Sequence, residues 1–138
     1  MAALVPGRRD REQMLWAGDW VSIVLAPRVE QGTFFHIAVN PDNERWDALI
    51  DSRDPTRSLD SSWSPDYQSA VHRGDDSWSV ELAIPWSALE MGAPQAGEKL
   101  AANLIWRRGS HREYSSWSRS RIARWPELEN FGTWVFEG

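Results

Sequence analysis

The chain of 138 residues has no cysteine and a single lysine. Without thiols, disulfides and cysteine-based zinc or redox motifs are excluded. The compartment stays open, because a domain of this length buries a sizeable core without covalent staples. No stretch approaches the ~20 apolar residues needed to cross a bilayer. The opening "MAALVPGRRDREQ" has only a few apolar residues before paired arginines, which is not the pattern of a signal peptide. His36, His72 and His111 are scattered, with no HxH or HExxH spacing. They read as surface or hydrogen-bonded histidines and not as metal ligands. Met1, Met14 and Met91 offer no axial pairing with them, so haem is not expected.

Charge is present but uneven. The net charge is −5, and almost every cation is arginine. Arg107, Arg108, Arg112, Arg119, Arg121 and Arg124 crowd one tract, opposed only by Glu113. Arginine among aromatics can serve nucleic acid through phosphate contacts and base stacking. An acidic chain without a recognised nucleic-acid signature points instead to solvated strand faces and loops.

Tryptophan is what the sequence has in excess, with ten. In "WSVELAIP" (78–85), Trp78, Val80, Leu82 and Ile84 alternate with Ser79, Glu81 and Ala83. That period of two predicts a strand with one buried face, closed by Pro85. Glu81 then points away from the core, as a lone surface acid does, and no second carboxylate is tied to it in the pairing a glycosidase needs. Further strands are predicted over 20–25, 33–39, 45–50, 67–72, 99–108, 113–118 and 132–136. The stretch 51–66, polar and broken by prolines, reads as a long loop. "PWSALEMG" permits one or two helical turns. Seven or eight short strands with almost no helix predict an all-β fold, an antiparallel β-sandwich.

Several phrases taken together resemble the family 9 carbohydrate-binding modules: "WAGDWVSIVLAP", "FHIAVNP", "WSVELAIPWSAL", "GEKLAANLIWRR", "SSWS" and "FGTWVF", in the family's order over residues 16–136. The resemblance implies a jelly-roll-like sandwich over 16–138, with 1–15 an N-terminal segment shorter than the family's. It also implies two tryptophans clamping a sugar ring. The matching positions are Trp16, before Asp19, and Trp125, six before Phe131. The family's hydroxyl-reading positions are altered, falling at Ser22, Ala38 and near Ile105.

The function this implies is non-catalytic carbohydrate binding by aromatic stacking. Trp16 and Trp125 would clamp the ring, with Asn103, Arg107, Glu113 and Asn130 as polar partners for hydroxyls. Such a domain would serve a larger polysaccharide-degrading or surface protein, extracellular, periplasmic or on the cell surface. Its partners would be mono- or oligosaccharides, polysaccharide ends and the domains beside it in cis. The alternative is a structural or docking sandwich with no sugar. Trp20, Trp78, Trp106 and Trp134, set in strands, read mostly as packing, and Trp86 as a cap beside Pro85. No cofactor is expected beyond a structural calcium, for which Asp42, Asn43, Glu44, Asp47, Asp51, Asp54 and Asp60 supply oxygens.

Overall fold

The computed structural model describes residues 18–53, 58–60, 63, 65–118 and 128–137. Strands β1 (Trp20–Ala26), β2 (Thr33–Val39) and β3 (Arg45–Asp51) come first, followed by the short β4 (Ser58–Asp60). Then come β5 (Gln68–Arg73), β6 (Trp78–Ala83), β7 (Lys99–Arg108), β8 (Glu113–Ser116) and β9 (Gly132–Val135). Seven strands form a main sheet in the order β4-β3-β2-β1-β7-β8, with β9 also paired to β7. β5 and β6 form a second sheet of two strands. All these pairings are antiparallel. No α-helix occurs among the described residues, where 3-10 turns are the helical structure. The fold is all-β and sandwich-like.

Local chemistry fixes the turns. In "NPDN", the Asn40 side-chain oxygen Oδ1 accepts the amides of Asp42 (3.1 Å) and Glu44 (2.8 Å), while its Nδ2 donates to the Glu44 carboxylate (3.0 Å). One side chain thus folds the β2–β3 connection on itself. Asn43 takes the left-handed conformation there (φ 60°), which asparagine accepts more readily than most residues.

The main sheet buries both faces over its centre. On the first face, Val24 of β1 lies between His36 of β2 and Asn103 of β7. Trp20, Phe34, Trp46, Ile50 and Ile105 complete its core, with Leu128 and Phe131 packed on it. Phe131 meets Phe34 edge to face at 5.2 Å. On the second face, Phe35, Ile37 and Val39 of β2 are buried under the β5–β6 hairpin, Tyr67, Trp63 and Leu89. Each large aliphatic or aromatic side chain buried this way contributes about 1.5–3 kcal/mol.

The hairpin keeps the predicted alternation but not the predicted depth. Val80, Leu82 and Ile84 turn toward Ile37 and Val39, yet Trp78, Val80, Leu82 and Ile84 are only half-buried. A sheet of two strands has no neighbours to cover its flanks. Trp78 joins none of the three core clusters, and Trp20 and Trp46 are the deeply buried indoles instead. β4 lies in the stretch expected to be loop, held by its pairing to β3.

His36 lies in the interior and not at the surface. It is 2% exposed and meets the Trp46 ring edge-on at 5.0 Å. Burial pushes its imidazole down to about 3, so it is neutral at physiological pH.

Candidate functional site

Trp16 and Trp125 lie outside the described residues. The three altered reader positions do come together. Ser22 of β1 is the direct cross-strand partner of both Ala38 and Ile105, so Ala38, Ser22 and Ile105 form one row across the first face. All three are buried, and the Ser22 hydroxyl donates to the Ile105 carbonyl (3.4 Å). That row is packed like core, with no hydroxyl reader in it.

The four polar candidates separate. Asn103 is buried, and its amide is spent on the chain leaving β8. Its Oδ1 accepts the Ser118 and Leu104 amides (2.8 and 2.9 Å), and its Nδ2 donates to the Ser118 carbonyl (3.2 Å). Arg107 stands on the first face opposite Tyr114, its guanidinium 5.4 Å from that ring and its Nη1 donating to the Gly18 carbonyl (2.8 Å). Glu113 is opposite Arg108, one position along, and therefore stands on the second face, exposed to solvent. Arg107 and Glu113 cannot serve one ring. Asn130, half-buried next to Phe131, has a buried Nδ2 with no hydrogen-bond partner among the described residues.

A second arrangement was not legible in the sequence. β8 and β9 share one edge of β7, β8 along Ile105–Arg108 and β9 along Lys99–Ala102. On the second face, the β8 half of this corner carries side chains that join none of the three core clusters. Trp106, expected to pack, is 41% exposed, and Trp117 is 50% exposed. Trp106 is opposite Ser115, and the Trp117 amide donates to the Leu104 carbonyl (2.8 Å). The two indoles are therefore diagonal neighbours on one face, with backbones about 7–8 Å apart.

Trp134 of β9 backs them, its ring 6.4 Å from that of Trp117 and tilted by 67°. Gly132 is the shelf on which Trp117 lies, because a Cβ there would run into Cζ3 of that indole. Ser115, Arg108 and Glu113 put a hydroxyl and two charges beside the indoles on the same face. Two exposed indoles beside hydrogen-bonding groups can stack on flat apolar rings and hold polar substituents at their rims. The row continues through Phe136, against which Trp86 packs edge to face at 5.5 Å. Trp86 is itself partly exposed.

A separate open depression of about 800 Å³ runs along the hairpin, lined by Asn43, Arg45, Gln68, Ser69 and Glu81 among others. Three of the calcium candidates have protein partners. Asp42 pairs with Arg73, Asp47 accepts the Tyr67 hydroxyl (2.7 Å), and Asp51 accepts the Arg53 amide (3.0 Å). The Tyr67 hydroxyl is pushed well above its ordinary range, first by burial and then by that hydrogen bond. Asp54 lies outside the described residues. No cluster of three or more His, Cys, Asp or Glu able to hold a metal occurs among the described residues.

Comparison with known protein families, with characterised proteins and with solved structures finds no match. Among the described residues no helix is long and apolar enough to cross a membrane.

Proposed function

We propose that this chain is a non-catalytic carbohydrate-binding domain that stacks sugar rings on exposed indoles, as a module of a larger polysaccharide-degrading or surface protein. The observation that carries this reading is the exposure of Trp106 and Trp117, diagonal to each other on one sheet face with Ser115, Arg108 and Glu113. A buried tryptophan removes 150–250 Å² from water, so leaving two indoles half in solvent forgoes a large stabilisation. Their exposed area is on the order of 200 Å² on that scale. That apolar area is on the scale of the faces of a few sugar rings.

The resemblance to family 9 modules supports the same class of ligand and adds a clamp of Trp16 and Trp125. The second reading, a docking or structural sandwich, draws on the row of Ala38, Ser22 and Ile105, where core packing replaces hydroxyl readers. Calorimetric titration with mono-, oligo- and polysaccharides tests the proposal. Binding to at least one saccharide class, with no release of reducing sugar, is expected. No response to any of them would leave the docking reading standing.

A further inference from the structure

We infer that the corner formed by Trp106, Trp117 and Gly132 is a platform for the interior of an extended polysaccharide, a chain of equatorially linked pyranoses, and not for a free sugar or a chain end. This rests on the carbohydrate reading above and names the ligand of its exposed surface.

Two features carry it. First, the Trp117 indole lies over Gly132, the cross-strand partner of Ala102, four positions along β7 from Trp106, so the two indoles spread along the sheet beyond the span of one pyranose. Rings joined in a chain can cover both. Second, the indoles lie on an open sheet face and not in a pit. Trp117 is half in solvent and Trp106 nearly so, and neither joins the clusters in which the hairpin packs. A chain can therefore run on past either indole.

Equatorial linkage keeps successive rings extended and exposes their flat C–H faces, the faces that stack on indole. The hydroxyl of Ser115, opposite Trp106, and the charges of Arg108 and Glu113, opposite each other, stand where the edge hydroxyls of those rings emerge. Trp134, tilted by 67° from Trp117, cannot lie flat under the same chain and acts as its buttress. Gly132 is the positioning residue: with no Cβ it lets the Trp117 indole rest against the β9 backbone.

The test uses the intact chain and a ladder of cello-, xylo- and chito-oligosaccharides from the monosaccharide to the hexasaccharide. It is repeated with reducing ends converted to alditols and with the matching insoluble polysaccharides. Affinity is expected to be absent or very weak for monosaccharides, to rise with chain length, and to be indifferent to the reduced end. Trp106→Ala and Trp117→Ala should each weaken binding to the longest chain roughly ten- to a hundredfold. Gly132→Ala should weaken it as well and shift the Trp117 indole resonances, with the fold intact by circular dichroism.

Equal affinity for monosaccharide and chain, loss of binding on reducing the end, or indifference to both tryptophan substitutions would overturn the platform while leaving carbohydrate binding in place. Silence toward every saccharide would remove both.

Discussion

One face of one sheet meets two fates. Over β2, the second face of the main sheet is sealed, with Phe35 and Ile37 at 3% and 1% exposure beneath the hairpin and the Leu89 turn. Over the end of β7 and over β8, the same face is open, with Trp106 and Trp117 at 41% and 50%. The open part mixes its indoles with Ser115, Arg108 and Glu113, while Phe35, Ile37 and Val39 of the covered part are apolar throughout. The cover differs as well, because the second sheet has two strands and the first has seven. Burial depth here follows the composition of the face together with the width of the opposing layer.

The sharpest way to break this comparison is to put a charge in the covered half. Ile37→Asp leaves a carboxylate buried without a partner and should cost more than about 4 kcal/mol, enough to prevent folding. Phe35→Ala in the same layer should cost about 3–5 kcal/mol in a denaturant melt. A cost near zero for either would mean the hairpin does not seal this face.

The next effect is a pH dependence from the first face. His36 has a folded-state pKa depressed to about 3 against an ordinary 6.5, so the unfolded chain takes up its proton first as pH falls. Its stabilisation is full above pH 6.5 and is lost progressively as the pH drops toward 3. Between pH 7 and 5 the loss should be roughly 2 kcal/mol at 1.36 kcal/mol per unit. Denaturation midpoints of the wild type and His36→Phe over that range check it. Parallel slopes for the two would contradict a neutral buried imidazole.

A smaller effect separates scaffold from site at Asn103. Asn103→Ala strands the amide and carbonyl of Ser118 and should cost about 1–3 kcal/mol of stability. Its effect on saccharide binding should come only through the edge it holds. A loss of affinity with stability unchanged would instead make Asn103 a reader of sugar hydroxyls.

Much of the frame was legible. Alternation in "WSVELAIP" named the correct face of β6, and the strands predicted over 33–39 and 45–50 match β2 and β3. β4 was missed because its three residues, in a polar stretch broken by prolines, are strand only through their pairing with β3. His36 read as a surface or hydrogen-bonded histidine, although "TFFHIAV" carries a usable signal. A run with no polar alternation belongs to a strand buried on both faces, and its one polar side chain goes inside with the rest.

The candidate site was less legible. Trp106 sat in a strand-like run and read as packing, because nothing local says how far an opposing sheet extends. Trp117 lies just past β8, eleven positions from Trp106, and only the β7–β8 register puts the two on one face. The same register sent Arg107 and Glu113 to opposite faces, which no spacing argument anticipated.

The most direct test is a paired measurement on the Trp106→Ala/Trp117→Ala double variant: thermal stability, and affinity for the longest soluble oligosaccharide bound by the wild type. Half-exposed indoles at a sheet rim should cost under about 2 kcal/mol of stability when removed together, well below a single core aromatic. The gain of affinity with chain length should be lost, leaving no more than the binding of a single ring by Trp16 and Trp125. Wild-type affinity retained with both indoles gone, or a stability loss as large as that of Phe35→Ala, would contradict the account.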